Sequence, residues 1–214
     1  EFRNNKTDAI DSLVSEEKLI IESLLAMEDY YYRFEFPSER ETLKKDLKAI
    51  VDSIEKFSSG KKTEILSPLF LTTKSDLLSV YVSVSPKDTL KYGLTLKSLY
   101  EKALSNDPHF TIANMNLGQW YYWAPAIGGG SRKKAEYYCE IAYKDSEKIG
   151  EKFYACFLYS QMLFVNKKFQ KASEILEEGL SFFPESKMLL RAKALNSKGI
   201  SYMEGTGFKV ETEK

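Results

Sequence analysis

The sequence predicts an all-α fold, and three observations predict it. Six prolines and eleven glycines punctuate 214 residues, and three of the glycines fall together at Gly128–Gly130, so most of the chain can run as uninterrupted helix. Apolar residues recur at three- and four-residue steps, the spacing that lines side chains up on one face of a helix. A composition that is 43% hydrophobic and 14% aromatic supplies a sizeable core and excludes disorder of the whole.

Taken in order, Ile10, Leu13, Val14, Ile20, Ile21, Leu24 and Leu25 begin a first helix that continues through "MEDYYYRFEF". Pro37 disfavours helical geometry at Phe36. Ser38 then reads as an N-cap and Glu41, three residues on, as its capping-box partner. The second helix carries Leu43, Leu47, Ile50, Val51, Ile54 and Phe57 on one stripe and ends at "SSGKK" from Ser58, which predicts two antiparallel helices at the N-terminus. In "TEILSPLFLTTKSDLLSVYVSVSPKDTLKYGL" the alternation of "SVYVSVS" suits a short strand as well as a helix, and helix is the expectation. Ser85 as N-cap, Pro86 at the first helical position and Asp88 in the first turn predict a helix from Pro86 to about Asn106.

"SLYEKALSNDPHF", "KKAEYYCEIAYKDS" and "FQKASEILEEGLSFFPES" are three versions of one pattern: an apolar stripe, a small residue, then a turn. Ala103 and Pro108, Ala142 and Ser146 or Glu147, and Gly179 and Pro184 set its register, with Ala135 and Ala172 four residues before Cys139 and Leu176. Between them "NMNLGQWYY" carries Leu117, Gly118 and Tyr121, and "CFLYSQML" carries Tyr159, Ser160 and Leu163. Over about residues 94–202 this resembles the tetratricopeptide repeat, a unit of about thirty-four residues made of two antiparallel helices. The resemblance implies helix hairpins stacked as a right-handed solenoid with a concave face for a partner. Small residues at these places let helix axes approach, so the pattern is a packing code. "SKMLLRAKALNSKGISYM" after Pro184 then reads as the first helix of another repeat or a polar cap. The resulting organisation is a polar tail over 1–9, a helical region of diverged repeats or cap over 10–84, repeats with a capping helix over 85–202, and a polar tail over 203–214.

Repeat geometry, as the resemblance implies it, directs Ile112, Met115, Gln119 and Tyr122 to the concave surface, with Asn116 and Trp123 near it. Tyr154, Phe157, Gln161 and Phe164 occupy the corresponding face of the next unit, and Met188, Arg191 and Leu195 follow in the last helix. Aromatic area with a few amides is the make-up of a peptide or small-molecule site, or else these rings fill the interior of a tight superhelix. Within the same family, clamps for acidic chaperone tails use lysine, arginine and asparagine; here only Asn116 and Arg191 resemble that set, which argues against such a clamp.

"APAIGGGS" inserts extra residues between two repeat helices. It lacks the Gly-x-x-x-x-Gly-Lys spacing of a phosphate loop. Ser131 reads as an N-cap, with Arg132, Lys133 and Lys134 at the positive end of the helix behind it, so the glycines form either a plain connection or a lip to the groove.

Composition and motifs exclude much else. Thirty-one basic residues balance thirty-one acidic ones, against a nucleic-acid footprint. The most hydrophobic stretch, Ile65 to Val84, is broken by Pro68, Lys74 and Asp76, so a transmembrane segment is not expected and a soluble chain is. Cys139 and Cys156 lack the spacing of a zinc site and read as core residues; neither metal nor cofactor is expected. His109, the only histidine, follows Pro108 with no nucleophile motif nearby, so the chain does not read as an enzyme. The polar opening "EFRNNKTDAIDS", starting at Glu1, suits a mature chain whose leader has been removed, which leaves a bacterial periplasmic or membrane-anchored setting and a cytoplasmic one both open. The expectation is a non-enzymatic adaptor for a protein or peptide. The alternative is a carrier for a small hydrophobic ligand, for which tetratricopeptide-like exported proteins of bacterial solute transporters are a precedent.

Overall fold

A computed structural model describes residues 15–205. The start of the first predicted stripe, Ile10 to Val14, and the tails over residues 1–9 and 206–214 lie outside the described residues. Among the described residues the chain forms α-helices and short 3₁₀ turns and no strand. The helices are α1 (Ser15–Arg33), α2 (Arg40–Ser58), α3 (Pro68–Val84), α4 (Thr89–Asn106), α5 (Thr111–Trp123), α6 (Arg132–Asp145), α7 (Ile149–Val165), α8 (Phe169–Phe182), α9 (Lys187–Asn196) and the single turn α10 (Tyr202–Gly205). They divide into two compact units, one ending at Pro108 and the other beginning at His109. No helix among the described residues is long and apolar enough to cross a membrane.

In the first unit α1, α2 and α3 pack against one another, and α4 packs along α3. The stripe Leu43, Leu47, Val51 and Ile54 is wholly buried, one face of α2 turned inward as its spacing dictates. The ambiguous "SVYVSVS" is helical because α3 is capped and enclosed. Ser67 Oγ accepts from Phe70 N at 3.1 Å, and Pro68 takes the first helical position. Burial of Phe70, Leu71, Leu77 and Leu78 then outweighs the β-propensity of its valines. Lys74 lies buried along its stem, and its ammonium reaches Glu55 at 2.7 Å and Ser58 Oγ at 2.8 Å. Ser75 Oγ donates to Leu96 O at 2.9 Å and Tyr100 OH donates to Asp76 at 2.6 Å, tying α3 to α4. That helix, grouped by the sequence with the repeats, belongs to the first unit.

Two expected caps take another form. Ser38 falls inside a 3₁₀ turn, Pro37–Glu39, and α2 starts from Glu39 with no side-chain cap, so the capping box with Glu41 is not made. Pro86–Asp88 is likewise a 3₁₀ turn, in which the Ser85 hydroxyl donates to Asp88 Oδ2 at 2.6 Å instead of accepting from an amide. Proline at the head of each segment closes a tight i→i+3 bond first, Glu39 N to Phe36 O at 3.0 Å and Asp88 N to Ser85 O at 2.9 Å, and the α-helix begins one turn later. The junction before α2 is held by Arg33, which reaches Asp29 at 2.6 Å, Asp46 at 2.9 Å and Glu39 at 3.2 Å.

In the second unit α5, α6, α7 and α8 pack in succession, α9 packs on α8 and α7, and α5 also touches α7. Close approach explains the small residues. A Cβ on Gly118 would lie 2.6 Å from Cys139 Sγ and 3.2 Å from Ala135 O, and one on Gly179 would lie 3.1 Å from Cys156 Cβ and 3.2 Å from Leu189 Cδ1. Ala135, Ala142 and Ala172 are wholly buried beside them. Both thiols are free and buried, as expected of core cysteines, and burial pushes Cys139 up to about 12 and Cys156 to about 11.

Candidate functional site

The residues predicted for binding lie on α5 and α7, with Arg191 on α9, all inside the second unit. Helical spacing carries Asn116 and Gln119 along one side of α5 towards Tyr154 at the start of α7. Gln119 Nε2 donates to Asn116 Oδ1 and the Tyr154 hydroxyl donates to Gln119 Oε1, both at 3.4 Å, which is long for a hydrogen bond. Tyr154 stacks on Phe157 with centroids 6.1 Å apart, and Tyr122 meets Trp123 edge-on at 4.8 Å. Ile112, Asn116, Gln119, Tyr122 and Tyr154 are half-buried, Trp123 and Arg191 are exposed, and Met115, Phe157, Gln161 and Phe164 are buried.

The chain's own C-terminal turn covers part of the buried group. After α9 the backbone reverses at Gly199, whose φ of 76° is the left-handed region that favours glycine. The reversal brings Ser201–Glu204 against α7. Gln161 Oε1 accepts from Tyr202 N at 2.8 Å and from Ser201 Oγ at 3.4 Å. With the Asn196 amide oriented to satisfy its neighbours, its oxygen accepts from Gln161 Nε2 at 3.2 Å. Ser201 Oγ in turn accepts from Met203 N at 3.2 Å, and Met203 is buried. Packing therefore extends past residue 203, where the sequence predicts a polar tail. Phe157 and Tyr202 meet edge-on with centroids 5.1 Å apart. Arg132, at the start of α6, pairs with Glu204 at 3.1 Å. The same turn bears on Tyr122: burial, then the charge of Glu204, raise its phenol above the ordinary value, and Arg132 opposes them.

Phe164 serves a different place. It packs edge-on against Phe169 at 5.0 Å and lines a cavity of about 420 Å³ with Phe169, Leu176, Lys193 and Asn196. That volume is within the range of small-molecule sites. Lys193 is paired with Glu177 at 2.6 Å.

The glycine loop is built as a turn. Gly128 N and Gly130 N both donate to Pro125 O, at 2.8 and 3.1 Å, Gly129 N donates to Ala126 O at 3.0 Å, and Ser131 N donates to Tyr121 O at 2.8 Å. A Cβ on Gly130 would fall 1.8 Å from Ala124 O, so only glycine fits there. These amides are committed inward, which does not suit an anion site. Ser131 caps α6 as the sequence predicts, its Oγ accepting from Lys134 N at 3.3 Å. Ile127 at the loop tip is wholly exposed.

His109 hydrogen-bonds to Asp145 at 2.9 Å on the surface. Among the described residues no three His, Cys, Asp or Glu side chains form a metal-holding group. The contribution of Ser201, Tyr202, Glu204 and Asn196 to the α7 face is not read from the sequence. Its one signal is Met203, a large apolar residue at the head of the predicted polar tail. No protein-family model, no curated protein and no solved structure matches this chain.

Proposed function

We propose that the chain is a non-enzymatic, tetratricopeptide-like binding module whose α5–α7 face takes a segment of a partner protein. The half-buried row Asn116, Gln119, Tyr122 and Tyr154 carries this reading. A helix pair that only had to pack would place aliphatic side chains there. Here two amides and the Tyr154 phenol meet through 3.4 Å contacts, which a partner's backbone groups would replace with shorter bonds while the rings supply contact area. The succession of neighbours, each helix on the next with α5 also on α7, supports the right-handed solenoid of the repeat family.

A displayed peptide library panned on the intact chain and on a chain ended at Ile200 tests the reading. Enrichment of a common motif, lost on Tyr122→Ala and Tyr154→Ala with the melting temperature kept, is expected. Enrichment indifferent to both changes, or none on either chain, would contradict it. The cavity beside Phe164 favours a second reading, a carrier for a small apolar ligand. Native mass spectrometry of the extracted protein separates the two, because a carrier retains a small-molecule adduct that Phe169→Ala releases.

A further inference from the structure

The α7 end of the face reads the C-terminal turn group by group. Gln161 reads a backbone N–H and a hydroxyl, Phe157 reads an aromatic ring, and Arg132 reads a carboxylate. We propose that Ser201–Glu204 is an internal competitor: it fills the site of a partner segment with a hydroxyl residue, an aromatic, an apolar residue and an acid in succession. The proposal rests on the segment-binding reading above and supplies that segment's chemistry.

Three features make the turn a ligand as well as a cap. A single helical turn has no stability of its own, since nucleation is unfavourable by a factor on the order of a thousand, so the site imposes its shape. The turn lies beyond a closed helix end: Gly199 N donates to Asn196 O and Ile200 N to Leu195 O, both at 3.0 Å, so the turn can leave without unwinding α9. The ion pair at its far end leaves Arg132 57% and Glu204 51% exposed, where charges attract weakly. Against these, Gln161 has no exposure at all, so departure of the turn strands a buried amide unless another backbone takes its place. Opening is therefore exchange of one segment for another.

The experiment titrates a labelled, acetylated peptide of residues 200–205 into the intact chain, the chain ended at Ile200, and the shortened chain carrying Gln161→Leu. A short tether gives an effective concentration of order millimolar, so a peptide that binds the shortened chain at about 0.1 mM binds the intact chain about tenfold more weakly. Gln161→Leu abolishes binding to the shortened chain. If the shortened chain fails to fold, intact chain carrying Tyr202→Ala and Glu204→Lys decides: it gains peptide affinity about tenfold over the unmodified chain. Equal affinity in all folded forms, or no binding by any folded opened form, overturns the competitor. The library separates this from the function: motifs dependent on Tyr122 and Tyr154 but unaffected by shortening remove the competitor alone. Failure to enrich anything on the shortened chain, with the peptide still binding it, removes the partner.

Discussion

In the first unit, two polar side chains buried on α3 are answered by full-length neighbours, Lys74 by Glu55 and Ser58 of α2 and Ser75 by a carbonyl of α4, while Thr72 Oγ1 on the same helix is buried without a hydrogen-bond partner. In the second unit, the side-chain oxygen of Gln161 on α7 is answered by one turn of chain lying 40 and 41 residues further on, and its nitrogen by Asn196 of α9. The first arrangement is settled by the elements that make the core. The second places the oxygen of a fully buried amide in the keeping of a single short turn, whose Ser201 and Met203 are buried beside it. Lys74, Ser75 and Gln161 are all satisfied, so the difference between them concerns which parts of the molecule can leave.

The largest change that sharpens this contrast is Gly118→Leu. Forcing α5 from α6 costs about 3 kcal/mol, which raises the population of the opened second unit about a hundredfold. The Cys139 and Cys156 thiols, raised and buried in the native chain, then react with a thiol reagent about a hundredfold faster than in the unmodified chain. Slow labelling in that variant would mean that the close approach is not what holds α5 to α6.

Gln161→Leu comes next, at about 2 kcal/mol, because it strands the Tyr202 amide and breaks the bond to Asn196. Here the thiols stay protected while the amides of residues 201–204 lose their slow exchange. Thiol exposure equal to that of Gly118→Leu would break the contrast, since the turn would then be part of the core.

Tyr100→Phe probes the first unit and costs about 1.5 kcal/mol, the worth of a hydrogen bond to the Asp76 carboxylate. Burial, followed by the charge of Asp76, raises the Tyr100 phenol well above 10.0, so its contribution is complete below the unfolded value and is lost as pH rises through the folded one. Denaturant melts at about pH 9 and about pH 11 should show the intact chain losing stability that the variant does not lose. Identical pH profiles would remove Tyr100 from the account. Arg132→Ala is the smallest, at about 0.5 kcal/mol for an exposed pair. It also removes the charge opposing Glu204, so Tyr122 titrates higher in a spectroscopic titration; a lower value would place Glu204 away from that ring.

The helices were legible wherever the cause is local. Stripes such as Leu43, Leu47, Val51 and Ile54 and the Ser131 cap follow from spacing within one or two turns, while the approach points Gly118 and Gly179 rest on the resemblance to the repeat family. The capping box at Ser38 failed because Pro37 favours a 3₁₀ turn, a competition between neighbours that the motif does not register. The helices α5 and α7 that carry the proposed face were legible, whereas the covering of Phe157 and Gln161 was not. That covering comes from Tyr202, and no periodicity links positions 41 apart.

Residue-resolved hydrogen exchange of the intact chain under native conditions tests the central claim, that a releasable turn occupies the α7 face. The account predicts that the Tyr202 amide, donor to Gln161, opens at a free energy about 2 kcal/mol or more below that of the Leu163 amide within α7. Equal opening energies would contradict it, because the turn would then unfold only with the unit and no partner could take its place.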